Sequence, residues 1–254
     1  MLGAIIGDII GSIYEHHNIN TKDFELFSLN CRFTDDTVMT VAVAEGIMEA
    51  YEQVKKDEQG WLFQSKELFQ SCIAESMKKW GRLYPRAGYG GNFSWWLMKE
   101  GIEPYGSYGN GSAMRVSPCA WICSWKDDSC DDTDHVDFLA CCSASVTHNH
   151  VEGLKGAIET AEAIWRMRRA NQDNDEIQKM KEIIRNRSKY DLDFSLDEIR
   201  PHYRFDVSCQ NSVPQAIVAF LESMDFEDAV RNAVSIGGDS DTIAAIAGSI
   251  AEAA

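Results

Sequence analysis

Residues 33–48 read Phe33-Thr34-Asp35-Asp36-Thr37-Val38-Met39-Thr40-Val41-Ala42-Val43-Ala44-Glu45-Gly46-Ile47-Met48. Two carboxylates and a threonine hydroxyl stand at the entry of an apolar run, as in a helix that starts on acids and then goes deep. The same form returns as Gly238-Asp239-Ser240-Asp241-Thr242-Ile243-Ala244, with apolar residues continuing to Ile250. Helical periodicity extends from both segments toward the two ends of the chain, strand-like alternation is almost absent, and only five prolines occur. The spacing predicts helices over about 2–16, 35–54, 61–82, 112–126, 133–148, 151–171, 174–188, 213–224, 226–236 and 241–254. The polar stretches 171–176 and 188–198 are of interhelical length, so residues 1–254 read as one all-α domain.

Local signals support several of these boundaries. Ser212 precedes Val213-Pro214, where proline is tolerated in a first turn, and Asp225 stands three residues before Asp228 as a cap with an acidic first turn. Gly3, Gly7 and Gly11 fall on one helical face, which suits close packing against another helix inside a bundle. Asp8, Ser12 and Glu15 fall at i, i+4 and i+7, a polar line on an otherwise apolar helix that faces either solvent or a cavity.

Forty acidic against 24 basic residues give a net charge of −16, and the longest basic cluster is Arg166-Met167-Arg168-Arg169. A nucleic-acid backbone binder is therefore not expected. An anionic small molecule remains compatible if bound metal cations invert the local charge. The eight cysteines do not form the C-x-x-C clusters of structural zinc, and Cys119 and Cys123, four apart, read as core residues. The apolar start of the chain has no basic flank and contains Asp8. No signal peptide or membrane span is expected, which points to the cytoplasm. The run Asp127, Asp128, Asp131, Asp132, Asp134 and Asp137 lacks the glycine and terminal glutamate of a calcium loop and reads as solvated.

The two Asp-bearing turns admit two readings. Helix capping is one, but a single aspartate suffices for a cap. The other is a metal site: brought together, the two turns would offer four carboxylates and threonine oxygens, a hard oxygen cage suited to Mg²⁺ or Mn²⁺. Glu15 would then stand where it could hold or activate a water. His148 lies at the end of a predicted helix, where a surface cap is the ordinary role. Residues 84–112 break the helical pattern with seven glycines and seven aromatics (Tyr84, Tyr89, Phe93, Trp95, Trp96, Tyr105, Tyr108). Such a segment is either a connector or a nucleotide site, with backbone amides meeting phosphates and aromatic faces stacking on a base.

In order along the chain, Gly7-Asp8-x-x-Gly11-Ser12-x-x-Glu15, Thr34-Asp35-Asp36-Thr37, Gly88-Tyr89-Gly90, Gly106-Ser107-Tyr108-Gly109-Asn110-Gly111-Ser112-Ala113-Met114-Arg115, Thr147-His148 and Gly237-Gly238-Asp239-Ser240-Asp241-Thr242 resemble the ADP-ribosylglycohydrolase family. The resemblance implies an orthogonal helical bundle with two Mg²⁺ or Mn²⁺ ions in a central cleft. It implies Thr34, Asp35, Asp36, Asp239, Asp241 and Thr242 as metal ligands. It also implies Gly88, Gly90, Gly106, Ser107, Tyr108, Gly109, Asn110 and His148 around the diphosphate and riboses, with Val213 near the adenosine. The implied reaction is hydrolysis of the glycosidic bond between ADP-ribose and a protein side chain or small molecule. Asp36 or Glu15 would take a proton from the attacking water. The alternatives are a non-catalytic ADP-ribose binder of the same fold, or a two-metal phosphoester or nucleotide hydrolase that aims Arg115 at a phosphoryl group. A monomer is expected. Family members usually continue beyond the position matching Ala254 with an aromatic residue and further helix.

Overall fold

The computed structural model describes residues 1–56, 65–123, 133–170 and 173–254. Among these residues the fold is all-α, without strands; a single isolated bridge joins Gly109 to Ser208. Cys130 and the aspartates 127, 128, 131 and 132 lie outside the described residues, as do the starts or ends of three expected helices. Asp134 and Asp137 form the acidic first turn of their helix, and Cys119 and Cys123 are buried, free core residues.

Helix α1 covers Leu2–Gly11, α2 Asp35–Lys56, α3 Lys66–Leu83, α4 Gly91–Met98, α5 Gly111–Met114, α6 Ser117–Ile122 and α7 Asp134–Ser145. Then come α8 at Val151–Met167, α9 at Asn174–Arg187, α10 at Leu196–Ile199, α11 at Cys209–Leu221, α12 at Phe226–Ser235 and α13 at Ser240–Ala251. Helix α13 is the centre of the bundle. Every residue from Ser240 to Ile250 is buried, as expected of a helix that is apolar all round. Helices α1, α11 and α12 pack on it, while α2 pairs with α3 and α7 with α8. Among the described residues no helix is long and apolar enough to cross a membrane.

The glycine face of α1 is what allows α13 its place. A Cβ on Gly3 would lie 2.2 Å from the Gly248 carbonyl oxygen, one on Gly7 2.1 Å from that of Ala244, and one on Gly11 2.5 Å from Asp241 Cα. The two backbones touch along three turns, and the pairing runs antiparallel. Glu252, just past α13, accepts from Leu2 N (3.1 Å) and Gly3 N (2.8 Å) and so caps the start of α1.

Several boundaries differ from the sequence expectation for identifiable reasons. Helix α1 stops at Gly11, with Tyr14 N bonded to the Gly11 carbonyl (2.8 Å) in a turn. The expected 112–126 helix is broken into α5 and α6 because Pro118 has no N–H for the Met114 carbonyl. Helix α11 begins four residues before Val213, so Ser212 and Pro214 lie inside it and Ser208 is the N-cap. The 84–112 segment contains α4, whose Phe93, Trp96 and Leu97 are buried at helical spacing while Trp95 and Met98 are exposed. The 188–198 loop ends in α10, opened by a capping box between Ser195 and Glu198. Asp225 caps α12 as expected, accepting from Asp228 N at 2.8 Å.

Candidate active site

The antiparallel α1–α13 pair carries the turn after α1 to the start of α13. Asn18 fastens the two: its Nδ2 donates to the carbonyls of Tyr14 (2.7 Å), Glu15 (3.1 Å) and Gly238 (2.9 Å), and its Oδ1 accepts from Gly238 N (2.9 Å). Gly237 and Gly238 both have φ +74°, and a Cβ on Gly238 would lie 2.4 Å from the Tyr203 ring. Glycine is therefore required at Gly238 twice over. The result is that carboxylate oxygens of Glu15, Asp239 and Asp241 lie within 4.8 Å of one another.

Asp8 ties this pair to α2. Its carboxylate accepts from Thr34 N (2.9 Å), Thr34 Oγ1 (2.7 Å), Thr37 N (3.1 Å) and the Thr37 hydroxyl. The start of α2 is thus capped from another helix. Oxygens of Asp8, Asp36 and Asp241 lie within 4.8 Å of one another. Asp36 Oδ2 contacts the hydroxyls of Thr242 (3.2 Å) and Thr34 (3.4 Å), and its buried Oδ1 has no partner. Asp239 occupies the N-cap of α13 but makes no cap bond; it accepts instead from Asn110 Nδ2 at 2.6 Å. Capping therefore does not account for Asp36 or Asp239.

Among the described residues, none of Asp8, Asp35, Asp36, Asp239 and Asp241 has an ion-pair partner. Burial, reinforced by the neighbouring carboxylates, raises Asp8 and Asp241 to about 6 and Asp35 to about 7. The same causes push Asp36 and Asp239 well above the ordinary range. Repelling buried carboxylates, an orphaned carboxylate oxygen and adjacent threonine hydroxyls form a donor set that fits a hard divalent cation.

The sign of the pH effect follows. Between the ordinary pKa of 3.8 and about 7 the folded chain holds more protons than the unfolded one, so these groups lower stability as pH rises through that window. A divalent cation should oppose the loss only where the carboxylates are ionised. At a hundredfold excess over Kd, Mg²⁺ or Mn²⁺ should add about 2.7 kcal/mol at pH 8, roughly 5–10 °C in Tm for a chain this long, and far less at pH 5. Calorimetric scans with and without metal at both pH values measure this. A Tm indifferent to both ions at pH 8 would remove the metal assignment.

The cluster opens into a cavity of about 600 Å³, within the range of small-ligand sites. Glu15, Thr34, Asp35, Asp36, Asp239, Asp241 and Thr242 line it, together with Gly88, Gly90, Ser107, Gly109, Asn110 and His148. Gly106 and Tyr108 do not. Gly106 turns with φ +70° and gives its N–H to Asn149 Oδ1 (2.8 Å), and Tyr108 is exposed with its ring edge-on to His150. Val213 is buried beside Gly156. The loop amides are also engaged: Ser107 N with Thr147 O, Gly109 N with Ser107 Oγ and Asn110 N with Val207 O. Of the seven aromatics in 84–112, only Phe93 and Tyr105 line the cavity.

Positive charge enters the cavity from residues the spacing did not single out. Arg32 and Arg86 line it, and neither guanidinium has a protein partner among the described residues. Arg115 also borders the cavity but is 1% exposed, and it donates from Nη2 to Ser143 O (2.9 Å) and Thr147 Oγ1 (2.8 Å). His148 is 5% exposed, and burial together with Arg115 holds its pKa well below 6.5, so the ring is neutral.

A family profile described as ADP-ribosylglycohydrolase matches residues 1–254. The ADP-ribosylhydrolase ARH3 of Mus musculus is 26% identical over 326 residues, covering 100% of this chain and 82% of its own. That of Homo sapiens is 25% identical over 328 residues, with 100% and 83% covered. An uncharacterized protein of Archaeoglobus fulgidus is 27% identical over 283 residues, covering 98% and 84%. A solved ADP-ribosylglycohydrolase-related protein complex matches with a TM-score of 0.67 at 21% identity, over 99% of this chain and 84% of the other. That likeness shows the fold.

Proposed function

Since this chain belongs to the ADP-ribosylglycohydrolase family, we propose that it is a metal-dependent hydrolase that splits the glycosidic bond between ADP-ribose and an acceptor, a protein side chain or a small molecule. The observation that carries the proposal is the unpaired cluster of buried carboxylates from both ends of the chain, opening into the cavity that Arg32 and Arg86 line. Thr34, Asp35, Asp36, Asp239, Asp241 and Thr242 hold two Mg²⁺ or Mn²⁺ ions. Bound there, the ions supply positive charge that offsets the carboxylates and orients ligand oxygens.

The chain's own residues then divide the work. Of the two carboxylates able to take a proton from water, Glu15 has a side chain 23% exposed, whereas Asp36 is buried at 3%. Glu15 is therefore the proton acceptor and Asp36 a ligand. The transition state of glycosidic cleavage is oxocarbenium-like, and nearby carboxylates favour the positive charge that develops on the ribose. Arg32 and Arg86 meet the diphosphate, and His148 and Asn110 line the cavity beside it.

The phosphoester reading would aim Arg115 at a phosphoryl group, but its Nη2 is engaged by Ser143 and Thr147; Arg32 and Arg86 serve either reading, and membership of the family favours the glycosidic bond. A purely binding member of the fold would not need an ionised cluster at this cost in burial. The proposal predicts Mg²⁺- or Mn²⁺-dependent release of ADP-ribose from at least one substrate in a panel of arginine-linked, serine-linked and O-acetyl ADP-ribose. Binding of ADP-ribose without release from any of them would instead make the chain a binding protein.

A further inference from the structure

We infer that Arg115 and Thr147 are positioning residues that fix His148 as a neutral Nε2–H donor facing the cavity, so that the ligand must present an acceptor oxygen there. The inference deepens the proposed function and takes from it only the identity of the ligand.

The chain of hydrogen bonds has one consistent direction. Arg115 Nη2 lies 2.8 Å from Thr147 Oγ1, and a guanidinium only donates, so the threonine oxygen accepts. Thr147 Oγ1 lies 2.7 Å from His148 Nδ1. The threonine is fully buried, and its hydroxyl has no third partner among the described residues. If Nδ1 carried a proton and gave it to Thr147, the threonine's own hydrogen would be left unsatisfied in the interior, where an unpaired donor is costly. Thr147 therefore donates to Nδ1, and the single ring proton resides on Nε2.

That second nitrogen points at the site. Cβ atoms built on Gly109 and Gly111 would lie 3.5 and 3.3 Å from His148 Nε2, and both glycines line the cavity. Nε2 has no protein partner among the described residues. Arg115 itself has no carboxylate beside it, and its Nε is buried without a partner. A guanidinium kept inside at such a cost contributes little to stability. What it does is hold Thr147, and with it the loop whose carbonyl at Thr147 accepts from Tyr105 N and Ser107 N at 3.4 Å each. The histidine cannot then act as a proton acceptor on the cavity side. It selects a phosphate or ribose oxygen.

Thr147→Val removes the hydroxyl at constant shape, and Thr147→Ser keeps it; Arg115 is left in place because its removal would take a donor from the Ser143 carbonyl as well as from Thr147. Long-range ¹H–¹⁵N spectra of histidine-labelled, ligand-free protein, assigned with His148→Gln, should show the Nε2–H form in the native chain and in Thr147→Ser. Thr147→Val should lose the unique form. Calorimetry with Mg²⁺ present should find ADP-ribose bound about tenfold more weakly by Thr147→Val and within about twofold of native by Thr147→Ser. An Nε2–H tautomer that survives in Thr147→Val, or that is lost equally in Thr147→Ser, would overturn the relay. Tautomers that behave as expected while no variant, nor the native chain, binds ADP-ribose would uphold the relay and overturn the proposed ligand.

Discussion

Asp241→Asn is expected to lower kcat by about 10²-fold or more while raising the Tm of the metal-free protein at pH 8. The two effects have one cause. Asp241 is the carboxylate shared by both groups of converging oxygens, with Asp8 and Asp36 on one side and Glu15 and Asp239 on the other. Its pKa, raised to about 6 by burial and by Glu15, means that at pH 8 it is ionised against resistance. An uncharged amide removes that repulsion, and the metal-free chain should gain on the order of 1 kcal/mol. On the proposed reading, the same change removes the carboxylate common to both groups of oxygens that would hold the cations, and cations at a reacting centre supply several kcal/mol. Thermal scans in chelator, paired with rates in saturating metal, measure both. A variant that loses activity and stability together would mean that Asp241 serves the fold, with no electrostatic cost to relieve.

Gly7→Ala should be among the most destabilising single-methyl changes in the molecule. The added carbon would lie 2.1 Å from the Ala244 carbonyl oxygen and 2.8 Å from Ala245 N, both backbone atoms that no rotamer change can move. The α1–α13 pair must spread, and overpacking of this kind costs about 1–3 kcal/mol and occasionally more. A loss of about 3 kcal/mol corresponds to roughly 6–12 °C in Tm for a chain of this size. Metal affinity should fall as well, because Asp8 follows Gly7 directly and Asp241 stands one turn from Ala244. Gly91→Ala is the control: nothing lies within 4 Å of a Cβ there, and its Tm should be unchanged or slightly higher. Equal effects at the two positions would show that helix contact is not what Gly7 provides.

The two acidic turns and the glycine face were legible because both are local patterns, two residues or one helical period long. Thr34-Asp35-Asp36 and Asp239-Ser240-Asp241-Thr242 open α2 and α13 as their spacing indicates. What spacing cannot express is which element a side chain meets. Asp8 looked like one member of a polar line with Ser12 and Glu15, yet it caps α2 while Glu15 turns to α13. Asn18 carried no pattern at all, and its side chain reaches the backbone of Gly238, 220 residues away. The glycine and aromatic loop lines the cavity with Gly88, Gly90, Gly109, Phe93 and Tyr105, but not in the way its composition suggests. Its composition suggested free amides and stacking faces, but the amides of Ser107, Gly109 and Asn110 are satisfied within the protein and Trp96 belongs to the core. Arg32 and Arg86 became visible only once their lack of protein partners could be seen.

The antiparallel fit of α1 onto α13 also bears on how the molecule is made. A ribosome finishes α1 and the start of α2 early but does not reach Asp241 until some 230 residues after Gly11, roughly 10–50 s later at ordinary elongation rates. Through that interval the glycine-rich first helix has no groove to lie in, and a short helix without tertiary contacts is marginal in water. Asp8 and Asp36 wait without the carboxylates that complete the cluster. Completion of the carboxylate cluster is thus a late event of biosynthesis, and a nascent chain cut short before α13 would lack both the helix at the centre of the bundle and Asp241.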